Sequence, residues 1–456
     1  MEAWLERLCT WVWGWPMMGL ILTVGILFTI RLRFIQLRGL KTGLKTALGP
    51  QTEGEGATPF RALCTALAAT IGTGNIIGVA SAISIGGPGA LFWMLLAGFL
   101  GMATQYAEGL LAVRYSGPQG GGPCIYMEQG LGRKGRVMAI CYAVCAVFAG
   151  AFGIGTVAQV HGISAAVARF FSPDFQGTWG LWLFGAYRPP AVVLAGVVVT
   201  VATAAVLLGG AERIGTVAET LVPIMAIGYI LLTGALLLWN WKALPMAVGQ
   251  VLTGALAPKA VTGGAVGSLF IVMRQGIARG LFTNEAGMGT AAIAAGMVRG
   301  IRPGRQGLAS MTGTFIDTIV LCTLTGLAIV VTGAWQQGGD GVSITNTAFV
   351  SGLPFTPSLS RFVLMVSLLL FAFATVIGWH YYAQRCLAYL TRGSRMAERL
   401  YRWLCIAAVA AAPYLSVDAV WQLADLTNGL MAFPNLLALL LLAGTVVQVT
   451  KAEHPE

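Results

Sequence analysis

The chain has 456 residues, of which 57% are hydrophobic and only 10% are charged. Soluble proteins average about 25% charged residues, and several apolar segments here exceed the roughly 20 residues that span a bilayer, so an ordinary soluble protein is excluded. The net charge of +11 does not indicate nucleic-acid binding, because the basic residues lie in short loops between apolar segments. We therefore expect a single all-α membrane domain over residues 1–456, embedded in a lipid bilayer.

Hydropathy predicts eleven membrane spans. They cover residues 11–32, 60–86, 91–113, 137–170, 190–208, 215–239, 263–298, 307–332, 361–391, 403–416 and 426–449. The first span begins with Trp11, Trp13 and Trp15, which suit the aromatic belt of a membrane interface. The basic and amphipathic stretch 31–45 predicts a helix that lies on the membrane surface.

Basic residues are distributed unequally between the two sides of these spans. Of the 28 Lys and Arg residues, 19 fall on one side, at 31–61, 114–136, 209–214, 299–306, 392–402 and the C-terminus, and five fall on the other side. Because basic loops stay in the cytoplasm, we expect the N-terminus outside and the C-terminus in the cytoplasm. No secretory signal peptide is evident at the N-terminus, and the expected location is a bacterial plasma membrane, the inner membrane in a Gram-negative cell.

The second span is interrupted by glycines at 68–89, AATIGTGNIIGVASAISIGGPG. Gly72, Gly74 and Gly78 surround Asn75, and each glycine costs a helix about 1 kcal/mol relative to alanine, which favours unwinding. Freed amides and carbonyls are tolerated at membrane depth only where protein or a water-filled cavity satisfies them, and they can bind ions or ligands. The alternative interpretation is a close helix crossing through small residues.

The seventh span is interrupted in the same way, by RGLFTNEAGMG at 279–289. Because the two breaks lie five spans apart, an odd number, the second set of five spans must run opposite to the first. We therefore predict an inverted repeat of spans 2–6 (60–239) and 7–11 (263–449), after one extra N-terminal helix at 11–32. A binding site is expected where the two breaks meet.

Seven stretches resemble the sodium:alanine symporter family, also called the alanine or glycine:cation symporters, across nearly the whole chain. They are TIGTGNIIGVASAISIGGPGALFWM (70–94), GGPCIYM (121–127), GGAERIGTVAETLVPIMAIGYI (209–230), RGLFTNEAGMGTAAIA (279–294), QGLASMTGTFIDTIVLCTLTG (306–326), FAFATVIGWHYY (371–382) and ADLTNGLMAFPNLLAL (424–439). The resemblance implies the leucine-transporter fold with an extra N-terminal helix. It also implies symport of alanine or glycine with sodium.

The sequence departs from the family pattern at four positions. Thr156 and His161 stand where asparagine is usual, and Thr283 and Met288 stand where serine and leucine are commoner. These changes leave the exact amino acid open and do not affect the class of substrate.

A zwitterionic amino acid needs hydrogen-bond donors for its carboxylate. The resemblance implies that the freed amides of Thr73, Gly74 and Asn75 provide them, together with the side chain of Gln159 in the fourth span. A half-helix end also favours negative charge through its dipole. The alternative for Gln159 is a hydrogen bond between helices, which is common in membranes.

The ammonium group of the same substrate needs acceptors. Carbonyls near Phe282 and Thr283 are expected to accept its hydrogen bonds, with Phe282 and Trp379 as the apolar lid and wall. Either aromatic residue could equally be a packing residue.

The resemblance to the wider fold also implies one sodium ion between spans two and nine. Its ligands would be the carbonyls of Ala68, Ile71 and Ala372 and the hydroxyl of Thr375, since hard cations prefer oxygen. A second sodium site is expected to be missing, because Ala69 stands where that fold has an asparagine. The alternative for Thr375 is a hydrogen bond back to its own helix.

Four acidic residues in or near the spans need an interpretation, because charges at membrane depth are rare. For Glu285 we favour a structural ion pair with Arg279, six residues earlier, over a proton relay or a contact with the substrate ammonium. Asp317 is left unassigned. Glu108 and Glu219 are expected at the membrane interface, since they lie near span ends.

Other function classes fit the sequence less well. An enzyme is not expected, because no nucleophile–base or metal-ligand spacing is present. A sensor should have a soluble signalling domain and a channel should have a continuous polar path, whereas polar residues here cluster at the two breaks. Composition alone leaves protons open as the coupling ion, and a proton-coupled transporter of another small amino acid remains the alternative. The sequence does not predict the oligomeric state, and a monomer is compatible with it.

Overall fold

The computed structural model describes residue 8 and residues 12–49, 56–117, 120–172, 180–183, 186–256, 264–415 and 417–453. The helices of the first half are α1 (Trp15–Arg31), α2 (Ile35–Leu48), α3 (Pro59–Thr70), α4 (Ile77–Gly86), α5 (Gly89–Arg114), α6 (Pro123–Phe152), α7 (Val157–Phe171), α8 (Pro190–Leu207), α9 (Gly210–Trp239) and α10 (Leu244–Leu256). The helices of the second half are α11 (Gly264–Asn284), α12 (Thr290–Ala295), α13 (Pro303–Thr314), α14 (Thr323–Val331), α15 (Gly341–Gly352), α16 (Pro357–Leu390), α17 (Arg395–Ala411), α18 (Val417–Leu441) and α19 (Ala443–Glu453). Trp11 and the predicted start of span seven at residue 263 lie outside the described residues.

The fold is nearly all helical, as predicted, with one small exception. Strands β1 (Leu181–Leu183) and β2 (Ala186–Arg188) form an antiparallel hairpin, with Trp182 opposite Tyr187. The two rings make an edge-to-face contact with their centroids 4.9 Å apart. Within the described ranges, the prediction of an all-α chain is therefore wrong in the loop between α7 and α8.

Within the described residues, six helices are long and apolar enough to cross a membrane, or up to nine spans if each bent helix pair counts as one. The bent pairs include α1 with α2, at 82°, and α3 with the Thr73–Gly86 segment, at 65°. The chain is thus a multi-pass membrane protein. The count of eleven and the division into two repeats of five stay predictions.

Span two is broken between α3 and α4, as its glycines predict. The α3 helix begins at Pro59 behind an N-cap, where the Thr58 hydroxyl accepts a hydrogen bond from Arg61 N–H. It ends at Ile71, whose backbone is extended, and Gly72 is extended as well. A single 3₁₀ turn, Thr73–Asn75, then leads into α4.

Span seven is broken between α11 and α12, also as predicted. Glu285, Gly287 and Gly289 all adopt positive φ, at 54°, 90° and 78°. Glycine accepts this conformation without strain, whereas a side-chain-bearing residue in it costs about 1–3 kcal/mol. Glu285 is therefore held in place by its surroundings.

A third break was not predicted. The span expected to be continuous over 137–170 is interrupted between α6 and α7, at residues 153–156. Thr156 is one of the positions that depart from the family pattern. Its hydroxyl donates to the Gly150 carbonyl, one of the carbonyls near the end of α6 where the helical hydrogen bonds are interrupted. Gly150, Gly153 and Gly155 interrupt the apolar pattern there, but this stretch lacks the internal Asn that accompanies the glycines of span two.

Small residues let the broken spans pack closely against their neighbours. The α16 helix packs on α3, and a Cβ added to Gly378 would lie 2.6 Å from Ala69 N. The α5 helix packs against α1, α11 and α13. These contacts bring the breaks of spans two and seven together in the middle of the bundle.

Candidate functional site

The break of span two is held by side chains from two other elements. The Thr73 N–H and hydroxyl donate to Gln159 Oε1 on α7, at 3.1 and 3.0 Å. Asn75 Oδ1 accepts from Gly72 N–H at 3.0 Å, and Asn75 Nδ2 donates to Asp317 Oδ1 at 2.7 Å. All of these side chains are buried.

The two breaks touch at Gly74. A Cβ placed on Gly74 would lie 3.2 Å from Thr283 Cγ2 and 3.5 Å from Phe282 Cδ1. The Gly74 N–H donates no hydrogen bond to a described residue. The structure thus brings together Thr73, Gly74 and Gln159 with Phe282 and Thr283.

The Oε1 atom of Gln159 faces Thr73. The sequence predicted instead that the side-chain N–H group of Gln159 would donate to a substrate carboxylate. The amide oxygen accepts both hydrogen bonds from Thr73, and Nε2 donates to the Ile154 carbonyl at 3.2 Å. The physical reason is that a freed backbone N–H needs an acceptor, and a glutamine can offer either end. Gln159 therefore bridges helices in this conformation.

Trp379 lies behind the breaks and is fully buried. Its indole N–H donates to Glu285 Oε1 at 2.9 Å, and its ring makes an edge-to-face contact with Tyr382, with the centroids 6.0 Å apart. Gly155, in the third break, packs directly against its side chain. Trp379 thus connects span nine to the breaks of spans four and seven.

The residues expected to bind sodium lie on two segments that pack together. The Thr375 hydroxyl lies 3.3 Å from the Ile71 carbonyl of span two and 3.1 Å from the Phe371 carbonyl of its own helix. Ala68 and Ala372 are fully buried on the same two segments. The structure therefore places Thr375 against Ile71, and it also shows the intrahelical hydrogen bond of the alternative interpretation.

The predicted ion pair between Glu285 and Arg279 is wrong. The Arg279 guanidinium lies over the Phe282 ring, 5.6 Å from its centroid, and Glu285 instead accepts from Trp379. Glu285 follows the end of α11 in a left-handed conformation, and its side chain reaches Trp379 of α16.

The prediction that Glu108 is interfacial is also wrong. Its side chain is fully buried, and Oε1 accepts from Gly287 N–H and Gly289 N–H, both at 3.0 Å, and from Asn435 Nδ2 at 2.7 Å. Two amides freed by positive-φ glycines need an acceptor at membrane depth, and a carboxylate on the neighbouring α5 supplies it. Glu219, by contrast, is 29% exposed and lies 3.4 Å from Arg61 Nε.

Asp317, left unassigned by the sequence, supports the break of span two. It lies on a π-helical segment, Phe315–Cys322, that joins α13 to α14. Oδ1 accepts from Asn75 and Oδ2 accepts from the Thr318 hydroxyl at 2.9 Å. Isolated π segments often occur at functional sites, because the extra residue shifts side chains out of helical register.

Two of the cavities differ in size. A cavity of about 230 Å³ has Arg61, Thr65, Met297 and Tyr381 among its lining residues. A second cavity, beside Arg169, has about 10 Å³. Among the described residues, no group of three or more His, Cys, Asp and Glu side chains could hold a metal ion.

Comparisons with known proteins agree over nearly the full length. The model of the sodium:alanine symporter family matches residues 1–454. A Haemophilus influenzae protein described as an uncharacterized transporter is 43% identical, with 99% of this chain and 95% of that protein covered. The sodium/alanine symporter AgcS of Methanococcus maripaludis is 40% identical, with 97% and 95% covered. The putative sodium/proton-dependent alanine carrier protein YrbD of Bacillus subtilis is 33% identical, with 95% and 88% covered.

A solved structure confirms the leucine-transporter fold, the coarser part of the fold prediction. The crystal structure of MhsT in complex with L-phenylalanine, a transporter with the leucine-transporter fold, matches with a TM-score of 0.57 at 14% identity. The match covers 88% of this chain and 99% of MhsT. The matched family and these relatives are transporters rather than enzymes. The chain belongs to the sodium:alanine symporter family.

Proposed function

We propose that the protein is a secondary active symporter that couples sodium entry to the uptake of alanine or glycine by alternating access. Eleven spans in two inverted repeats would surround the site where the breaks of spans two and seven meet. The N-terminus would lie outside and the C-terminus in the cytoplasm of a bacterial cell, so the larger cavity beside Arg61 would open to the cytoplasm. The relatives named for alanine support this substrate.

The contact between Thr73 and Gln159 is the observation on which the proposal rests. A substrate carboxylate is an acceptor of the same kind as Gln159 Oε1, which now accepts from the Thr73 N–H. The carboxylate would replace that oxygen and also receive the Gly74 N–H. Gln159 would then rotate its amide and donate to the carboxylate through Nε2.

The room at the break supports a small substrate. A single carbon added to Gly74 would lie 3.2 Å from Thr283 Cγ2 and 3.5 Å from Phe282 Cδ1. A methyl group or a hydrogen atom fits beside these side chains with the least rearrangement. Phe282 would cover the substrate, Trp379 would support the wall behind it, and the amide of Asn75 would keep the break in shape through Asp317.

The oxygen atoms between spans two and nine support one sodium ion. Sodium would bind between the Ile71 carbonyl and the Thr375 hydroxyl, with the carbonyls of Ala68 and Ala372 completing the site. The Thr375 hydroxyl would then turn its hydrogen away from the Ile71 carbonyl and present a lone pair to the ion. Because span two forms part of both sites, sodium binding would organise the break that receives the carboxylate.

Uptake of labelled amino acids into proteoliposomes tests the proposal. Alanine or glycine should accumulate when an inward sodium gradient is imposed, and accumulation should stop when the gradient is removed. Because one relative is described as sodium/proton-dependent, a second arm imposes a proton gradient without sodium. Accumulation driven only by the proton gradient would show that protons, and not sodium, are the coupling ion. No accumulation of either amino acid in any arm would show that neither alanine nor glycine is the substrate.

A further inference from the structure

The break of span seven encloses two carboxyl groups that have no cationic partner. Glu108 is fully buried and Glu285 is 1% exposed. The ion pairs found among the described residues involve neither of them, and Arg279 lies over Phe282 instead. Since burying one ionised carboxylate already costs several kcal/mol, two charged groups this close together require compensation.

The two carboxyl groups differ in the number of donors that they receive. Glu108 Oε1 accepts from two backbone N–H groups and from Asn435, three donors in all. Glu285 Oε1 accepts from Trp379 Nε1, its one hydrogen bond of ordinary geometry among the described residues. Donors stabilise the ionised form of a carboxyl group. Glu108 therefore has more donors to compensate a charge, and Glu285 is the member that has the greater need of a proton.

Four buried oxygen atoms around the pair have no hydrogen-bond partner among the described residues. They are Oε2 of Glu108, Oε2 of Glu285, the Thr290 hydroxyl and the Tyr382 hydroxyl. Thr290, at the start of α12, lies close enough to the Glu285 carboxyl group to interact with it, although without the geometry of an ordinary hydrogen bond. The Tyr382 ring packs against Trp379, which binds Glu285. Buried polar atoms normally have hydrogen-bond partners, so these four oxygen atoms indicate a site that binds a ligand or an ion.

A proton fits this place better than a metal ion does. The Oε1 atoms of Glu108 and Glu285 both accept hydrogen bonds from N–H groups, and the positive ends of these groups repel a cation. Among the described residues, no group of three or more His, Cys, Asp and Glu side chains is arranged to hold a metal ion. A proton on Glu285 Oε2 needs only one acceptor, and the unpartnered oxygens supply it.

We propose that Glu285 binds a proton at this break and that Glu108, Thr290 and Tyr382 form the rest of the proton site. The remaining titratable groups that face it are Asp317 of the π-helical segment, the cysteine and tyrosines Cys124, Tyr126 and Tyr142 of α6, and Tyr381 of α16. The site is separate from the residues proposed for sodium, and the inference depends on neither the amino acid nor the coupling ion.

Infrared difference spectroscopy in lipid tests the site without transport. The wild type should show the C=O stretching band of a buried protonated carboxylic acid that Glu285→Gln lacks, and the band should disappear at alkaline pH. Glu128→Gln, at an acid of α6 that lies 3.7 Å from Arg136, is the matched control and should retain the band. A spectrum without the band in the wild type, or with the same band in Glu285→Gln, overturns the proposal.

Tyr382→Phe provides a second test that keeps the ring and removes only the unpartnered hydroxyl. The band should shift, because the protonated carboxyl group loses a neighbouring oxygen, and an unmoved band overturns the arrangement. This variant remains informative if Glu285→Gln does not fold.

Amino-acid exchange at constant sodium then tests whether the proton matters for the cycle. In the wild type, exchange should fall at alkaline pH, since each pH unit above the midpoint lowers the protonated fraction about tenfold. Glu285→Gln imitates the neutral acid and should remove this fall. The same alkaline fall in Glu285→Gln and the wild type would contradict a role of Glu285 in the cycle.

Discussion

The breaks of spans two and seven both free backbone N–H groups, but these groups are met by different chemistry. In span two, the freed Thr73 N–H meets the neutral amide of Gln159, while Asp317 binds only the side chain of Asn75. In span seven, the freed N–H groups of Gly287 and Gly289 meet the carboxylate of Glu108. The freed N–H of one break therefore has a neutral acceptor that an anion can replace, whereas the freed N–H groups of the other already have an anion.

This difference gives the pair of breaks a direction. A substrate carboxylate would gain most at span two, where it would replace a neutral oxygen, and would be repelled at span seven, where the freed N–H groups already meet Glu108. A substrate ammonium group would gain on the span-seven side, beside Glu108 and the carbonyls near Phe282 and Thr283. A zwitterion would thus bind in one orientation because the freed N–H groups of the two breaks differ in the charge of their acceptors.

Replacing the neutral acceptor of the Thr73 N–H with a carboxylate should have the largest effect on uptake. Gln159→Glu keeps the size of the side chain but places a carboxylate where the substrate carboxylate would bind, so uptake should be lost. Gln159→Ala removes the hydrogen bond without adding charge. It should weaken substrate affinity by roughly ten- to a hundredfold, since a hydrogen bond to a charged group contributes about 1.5–3 kcal/mol.

Ser164→Ala is the matched control for both Gln159 variants. Ser164 is a buried polar residue on the same helix, and its hydroxyl donates to Val160 of that helix at 3.0 Å. Binding of labelled alanine should be unchanged in Ser164→Ala. If Gln159→Glu elutes as a folded species and binds alanine fully, then the substrate carboxylate does not bind at the break of span two.

The sequence allowed both breaks to be predicted, because clusters of glycine with an internal Asn or Glu interrupt apolar runs. It did not reveal how the breaks are held. Glu108 reaches Gly287 across 179 residues, and Glu285 meets Trp379 across 94, contacts that only the fold creates. The near positions of Arg279 and Glu285 in sequence suggested a pair that the left-handed Glu285 residue prevents.

The sodium site should show a smaller effect, because it loses one neutral ligand. Thr375→Val keeps the shape of the side chain and removes the hydroxyl that lies between Ile71 and Phe371. The sodium concentration for half-maximal alanine uptake should rise about two- to tenfold, the range expected for about 0.5–1.5 kcal/mol. The reversal potential should indicate one sodium per amino acid.

Thr345→Val is the control for that measurement. Thr345 is equally buried, and its hydroxyl donates only to Gly341 of its own helix. If the two variants shift sodium dependence equally, then Thr375 has only an intrahelical role. A ratio of two sodium ions per amino acid would instead show that the absence of an asparagine at Ala69 does not remove the second site.

The smallest effect is expected at the bundle end opposite Arg61, where a surface ion pair supports the second half of span two. Arg169 on α7 lies 2.7 Å from Asp340, which also caps α15, and α15 packs on α4 through a close approach of Gly341 to Ile77. This pair supports span two from the surface, whereas Glu108 supports span seven from the interior. Surface pairs contribute about 1 kcal/mol or less.

Asp340→Asn removes this charge and keeps the helix cap, since asparagine caps as well as aspartate. Burial alone would raise the pKa of Asp340, but hydrogen bonds from Ser343 and the Arg169 charge outweigh it and hold the pKa below its usual range. A lowered pKa means that the stabilisation is complete at neutral pH and is lost as pH falls through that lowered value. Thermal unfolding at neutral pH and low salt should therefore show a small loss of stability in Asp340→Asn that disappears in strong acid and shrinks in high salt. Arg169→Gln should show a similar loss with little further change in the double variant, and additive losses would show that the two residues act independently.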